Sequence, residues 1–151
     1  MLGNSHFDRA VRALTDRSSR AQAIDYGRIM RETASAIDSC RHPIVAQIHG
    51  ICVGGGLELA TLCDLRICGA SSRLGIPIKN LGLVMSYPEL EPLVRLVGAG
   101  RALELLLEGR ILAADEALAM GLVTRVVADE AVAAEAQAAA QRIAAGAPLV
   151  A

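Results

Sequence analysis

Residues 43–64 read PIVAQIHGICVGGGLELATLCD, and within them three consecutive glycines, Gly54, Gly55 and Gly56, separate an apolar run from a helical one. Pro43 ends any preceding helix, because the residue before a proline is pushed out of the α region. Ile44-Val45-Ala46-Gln47-Ile48 then reads as a strand that stops at His49-Gly50. Residues 57–62 have helical character. Three residues without a Cβ let a backbone approach another molecule closely, with its N–H groups pointing outward. A helix N-terminus adds unpaired donors and partial positive charge. Together these suit a developing oxyanion, a carboxylate or a phosphate. Glu58 follows in the first helical turn, where its carboxylate can face the same space. Donors beside one carboxylate are the arrangement needed to move a proton next to a carbonyl. On spacing alone a plainer reading is equally open: glycines before a helix serve tight packing, and a first-turn Glu complements the helix dipole. The run is no P-loop, since no GK[ST] follows, and it lacks the GxGxxG arrangement, since the glycines continue as Leu57-Glu58-Leu59.

The rest of the chain reads as strands interleaved with helices, hence the α/β class. Helices are expected over residues 8–16, 21–37, 89–97, 101–108, 113–120 and 129–145, the last rich in alanine. Short strands are expected over residues 65–68, 73–76 and 122–127. Gly109, Gly121 and Gly146 fall where helices should stop. There is no internal repeat and no low-complexity linker, so one domain is expected across residues 1–151.

Composition closes off several function classes. With 15 Lys+Arg against 16 Asp+Glu the net charge is −1, which removes the electrostatic case for nucleic acid or an anionic membrane surface. Phe7, Tyr26 and Tyr87 are the only aromatics, too few for base-stacking platforms. No uninterrupted apolar stretch is long enough to span a bilayer, and residues 1–6 lack the pattern of a signal peptide, so a cytoplasmic protein is expected. Cys40, Cys52, Cys63 and Cys68 match no zinc-ligand spacing and are expected as buried free thiols. No metal site is expected.

The run PIVAQIHGICVGGGLELATLCDLRI resembles the crotonase superfamily, the enoyl-CoA hydratases and isomerases. The likeness continues through Leu81-Gly82, Arg95-Leu96-Val97-Gly98, Arg101-Ala102, Leu107-Glu108-Gly109 and Gly121-Leu122-Val123, covering residues 43–127. It implies a spiral of ββα turns, usually assembled as trimers or hexamers of identical subunits. It also implies acyl-CoA thioester substrates, with coenzyme A entering only as part of the substrate and no separate cofactor. By the same resemblance Gly55 supplies an oxyanion-hole N–H, Glu58 is the catalytic proton-transfer group, and Gly54, Ile78 and Ser86 line the substrate site.

Three departures shape the expected activity. The second hydratase glutamate follows the proline that here is Pro77, yet this chain has Ile78, which can neither hold a water nor transfer a proton. Lys79 is a poor replacement. The family's glycine-rich turn after Leu81-Gly82 reads Leu83-Val84-Met85-Ser86-Tyr87-Pro88, and Glu89 and Glu91 beyond it are expected as solvated helix-start carboxylates. Relative to the family the chain looks shortened at both ends, with Ser5-His6-Phe7-Asp8 at best a remnant of the loop that bears the second oxyanion donor. An incomplete spiral exposes a sheet edge and an apolar helix face, from which a homo-oligomer is expected. Two readings follow. One is an isomerase-like enzyme in which Glu58 shuttles one proton through an oxyanion-stabilised enolate. The other is a non-catalytic oligomeric protein of the same fold with a degenerate acyl-CoA site. His49, Asp64 and Arg66 are expected to be structural, and His6 and His42 to lie on the surface.

Overall fold

The computed structural model describes residues 20–81 and 85–146. The chain divides into two compact units, Met1–Ser39 and Cys40–Ala151. In the first, helix α1 (Arg20–Asp38) carries Arg28 between Asp25 and Glu32, with ion pairs of 3.3 and 3.0 Å on an exposed face. Such solvent-exposed pairs add little to stability. The helix expected over residues 8–16, and His6 with it, lie outside the described residues.

The second unit begins with strand β1 (Val45–Ile48), strand β2 (Ile51–Val53) and helix α2 (Gly55–Thr61). Strands β3 (Leu65–Gly69) and β4 (Arg73–Gly75) and a 3-10 turn (Ile78–Leu81) come next. Helices α3 (Tyr87–Val97) and α4 (Ala99–Glu108), strand β5 (Ile111–Ala113), helix α5 (Ala114–Met120) and strand β6 (Arg125–Val127) follow. A second 3-10 turn (Asp129–Ala131) leads into helix α6 (Val132–Ala144). The first four strands alternate between two three-stranded sheets, β1-β3-β6 and β2-β4-β5; β5 then joins β4 in the second sheet and β6 closes the first. β1 runs parallel to β3 (Val45 beside Leu65, Ile48 beside Cys68), and β2 runs parallel to β4 (Ile51 beside Arg73, Val53 beside Gly75). One turn of chain, with α2 as the crossover, therefore lays a strand on each sheet. That is the ββα spiral the resemblance implied, with helices dominating the second half.

Side-chain alternation explains the layers. Ala46, Ile48 and Cys68 turn into the main core with Leu57, Leu74, Ile76, Leu93, Leu105, Leu112 and Leu122. Val45, Leu65 and Ile67 turn the other way and are covered by Ala136 and Ala139 of α6. Glu135 fixes α6 by accepting from Arg125 at 2.7 Å and Arg142 at 2.8 Å. Buried Arg66 stitches β3 to the chain before β6: Nε donates to the Leu122 carbonyl at 2.9 Å and Nη1 to the Cys63 carbonyl. Its own backbone exchanges bonds with the Thr124 hydroxyl. Asp64 accepts from the Ile44 N–H at 2.7 Å, which ties the end of the α2 crossover to the start of β1. Both residues are structural, as expected.

Several local expectations need correction. Ile51-Cys52-Val53 is a strand of its own, because β4 offers it a ladder that three residues between glycines cannot signal in sequence. Residues 111–113 form strand β5, which was not expected, and Ala113 ends that strand instead of starting the following helix. α2 and α3 each begin two residues before the positions expected, at Gly55 and Tyr87. Cys40 is exposed and Cys52 and Cys63 half-buried, so Cys68 alone of the four free thiols meets the expectation of burial. Ile51, Leu103 and Leu107 leave large apolar side chains exposed. Among the described residues no helix is long and apolar enough to cross a membrane.

Candidate active site

The site is built on the turn between β2 and α2. Gly54 is the N-cap of α2 with φ 56° and ψ −129°, a conformation that side-chain-bearing residues avoid. Its N–H is already used, donating to the carbonyl of Gly75 in β4 at 2.9 Å. Gly75 in turn tolerates no Cβ, because one would collide with the carbonyl of Arg110. The turn is thus bolted to the second sheet. The first bond within α2 runs from the Glu58 N–H to the Gly54 carbonyl at 3.0 Å. The N–H groups of Gly55, Gly56 and Leu57 precede it and have no acceptor inside the helix. Of the glycines, Gly55 and Gly56 therefore keep N–H groups without an acceptor inside the helix, whereas that of Gly54 goes to Gly75.

Glu58 stands half-buried on the first turn of α2, one helical turn beyond Gly54. Burial pushes its carboxyl group above the ordinary glutamate range, and the negative charge of Glu89 pushes it the same way. A carboxyl group that ionises less readily than usual, beside free backbone donors at a helix N-terminus, is equipped for proton transfer next to a developing oxyanion. Beneath the turn, Cys52 presents its sulfur toward Gly56, and burial raises this thiol to about 11.

Ile78 lies in the 3-10 turn after Pro77 and packs against the main core, an apolar surface where a second carboxylate was the alternative. Lys79 is exposed and runs along Gly109 at the end of α4. Ser86 is the N-cap of α3, and both of its donors go to one oxygen: its N–H reaches Glu89 Oε2 at 2.7 Å and its hydroxyl reaches the same atom at 2.9 Å. The Ser86 N–H is therefore spoken for by the helix cap. Glu89 is half-buried, not the solvated carboxylate expected from its position, whereas Glu91 is exposed and pairs with Arg95 at 3.8 Å. Glu89 is the residue that sequence reasoning undervalued. The available signal was its place three residues after a serine, the capping-box spacing.

His49 is exposed and shares a 2.7 Å hydrogen bond with Gln47, and His42 is exposed. Among the described residues no group of three or more His, Cys, Asp or Glu is placed to hold a metal ion. The loop that would bear a second oxyanion donor, with Ser5-His6-Phe7-Asp8, lies outside the described residues.

A strand–glycine turn–helix motif on a ββα spiral, with an acid one turn into the helix, narrows the class, and comparison with known proteins agrees. The family model for enoyl-CoA hydratase/isomerase matches residues 11–151. The chain belongs to this family. It is 36% identical over 112 residues to the crotonyl-CoA hydratase of Syntrophomonas wolfei, covering 74% of this chain and 43% of that protein. It is 39% identical over 97 residues to the peroxisomal Delta(3,5)-Delta(2,4)-dienoyl-CoA isomerase of Arabidopsis thaliana, covering 64% of this chain and 35% of that one. Among solved structures, the enoyl-CoA hydratase/carnithine racemase of Magnetospirillum magneticum superimposes with a TM-score of 0.81 at 51% identity, over 88% of this chain and 50% of that one. The chain thus spans half or less of the length of each of these three proteins.

Proposed function

We propose that the protein binds acyl-CoA thioesters and transfers one proton beside the thioester carbonyl, in the manner of an isomerase. The observation that carries this reading is Glu58 itself: a half-buried carboxyl group with a raised pKa, one turn behind the free N–H groups that open α2. The Gly55 N–H meets the carbonyl oxygen as it gains charge, and the Glu58 carboxylate removes the neighbouring carbon-bound proton. The resulting enolate is then reprotonated by the same Glu58 at a second carbon, which moves a double bond without adding or removing any atom. Donors fixed before the reaction stabilise the enolate more than the ground state, and one such donor is worth about 10²–10³ in turnover. Hydration would need a second carboxylate to orient water, and the position after Pro77 offers Ile78. Coenzyme A enters as part of the substrate, and the chemistry calls for no other cofactor.

Ile78 also favours a second reading, in which the fold persists as a non-catalytic oligomeric protein with a degenerate acyl-CoA site. In either case the exposed Ile51, Leu103 and Leu107 supply apolar surface for a homo-oligomer, a trimer or hexamer that sedimentation would detect. The deciding experiment is calorimetry with a panel of saturated and unsaturated acyl-CoA thioesters, followed by double-bond isomerisation assays on the wild type and on Glu58→Gln. Saturable binding with turnover that falls by at least 10²-fold in Glu58→Gln supports the enzyme. Binding without turnover supports the non-catalytic protein. Absence of binding across the panel removes the enzyme and leaves the non-catalytic oligomeric protein.

A further inference from the structure

Helices α2 and α3 pack against one another with Glu58 on the first turn of one and Glu89 on the first turn of the other. Glu89 is not free to swing into solvent. Its Oε2 takes both the N–H and the hydroxyl of Ser86, at 2.7 and 2.9 Å, while no described residue donates to its Oε1. We propose that Glu89, fixed by Ser86 at the start of α3, is the positioning residue that controls whether Glu58 carries its proton. The inference rests on Glu58 being the proton-transfer group, as argued above.

The surroundings of Glu58 leave Glu89 as the charge that matters. Within α2, Glu58 is the sole titratable residue. β2, packed beneath it, contributes Cys52, whose thiol at about 11 is neutral at physiological pH. On α3, Glu91 and Arg95 face each other as an exposed ion pair, and Tyr87 is exposed. Residues 82–84 bear no titratable side chain. The like charge of Glu89 then opposes ionisation of Glu58, in the same direction as burial. A base kept reluctant to ionise binds its proton more strongly once ionised, which brings it closer to the operating pH.

A cap alone would not need the charge. Gln at this position of a capping box accepts the same bonds from the N-cap residue as Glu does. Glu89→Gln therefore keeps the helix start and removes only the negative charge. The test is an NMR titration of ¹³C-labelled glutamate side chains in the full chain without substrate, with Glu58 assigned through Glu58→Gln. The expected result is that Glu58 titrates at lower pH in Glu89→Gln and is unmoved in Glu91→Gln. A folded Glu89→Gln in which Glu58 titrates as in the wild type overturns the proposal. A second variant serves the same test: Ser86→Ala removes the hydroxyl that holds Glu89 Oε2, and Glu58 must titrate at a different pH there than in the wild type. That variant decides the matter should Glu89→Gln not fold, and an unchanged Glu58 titration overturns the proposal there too. In active protein, the rising limb of kcat/KM against pH moves to lower pH in Glu89→Gln. A wild type that shows the coupling but no turnover on any thioester retires the catalytic reading and leaves the electrostatic one standing.

Discussion

The N–H of Gly54 donates to the carbonyl of Gly75 at 2.9 Å, so the turn that opens α2 hangs from β4 through two residues that each lack a Cβ for a different reason. At Gly54 the reason is torsional: φ is 56° and an added Cβ would meet nothing within 4 Å. At Gly75 it is steric, since β5 passes so close that a Cβ would strike the Arg110 carbonyl and approach Ile111 Cδ1 to 2.8 Å.

Alanine at either position should therefore destabilise the fold by about 1–3 kcal/mol, through strain at Gly54 and overpacking at Gly75. Denaturant midpoints measure both. The second site should also separate them: replacing Ile111 by Val removes Cδ1, so Gly75→Ala becomes milder on that background while Gly54→Ala costs the same. Equal costs of Gly75→Ala on both backgrounds would place the whole clash at the Arg110 carbonyl.

Glu58 makes stability depend on pH with a definite sign. Its folded pKa lies above the unfolded value, so between the two the native state holds more proton than the unfolded chain. Stability then falls as pH rises from the ordinary glutamate range through the raised value. In Glu58→Gln this loss is absent. The wild type should lose ground to the variant as pH climbs across that window, and chemical denaturation of both proteins at several pH values checks it. A constant difference between them contradicts the burial argument.

Arg66 joins β3 to the segment before β6 through carbonyls that have little else to bond. Arg66→Met keeps the aliphatic bulk but strands the Leu122 and Cys63 carbonyls, a loss of about 2–6 kcal/mol at roughly 1–3 per unsatisfied buried group. Thr124→Val removes the hydroxyl that bridges the Arg66 backbone and should cost less. A shallow, broadened unfolding transition in either variant would show that β6 has detached on its own.

The four thiols should sort by exposure. Cys40 is exposed and should react with a thiol reagent in one fast phase, whereas burial raises the pKa of Cys52, Cys63 and Cys68. For Cys52, at about 11, only about one molecule in a thousand carries the thiolate at pH 8. Native protein should titrate one rapid equivalent, and all 4 cysteines should react in denaturant. Two or more rapid equivalents in native protein would mean that the β2–α2 turn opens readily.

The sequence carried the spiral and its turn because both are local. Pro43, the apolar run up to Ile48 and three glycines in a row name a strand, a break and a helix without help from distant residues. β2 and β5 escaped notice because three-residue strands owe their existence to β4, which supplies the ladder for both. Glu58 became a candidate through its place just after the glycines together with the family resemblance. The fate of the candidate donors was not legible: the Gly54 N–H goes to Gly75, and the Ser86 N–H goes back to Glu89, bonds that depend on a neighbouring strand and on a side-chain rotamer. The relation of Glu58 to Glu89 spans 31 positions of chain, the difference of their numbers, and exists only once α2 and α3 pack.

The alternation of strands between two sheets also sets an order of assembly. Val45 meets Leu65, a closure of 20 residues by their numbers, while Ile67 must wait for Arg125, 58 residues further along. Closing the longer loop costs about 1 kcal/mol more in chain entropy, by the logarithmic dependence on loop length. The winding that contains the glycine turn and Glu58 is thus the least expensive to close, and β6 joins a sheet whose first pair already exists. In a chain wound this way, the segment proposed to bear the chemistry is also the one whose ends have the shortest path to each other.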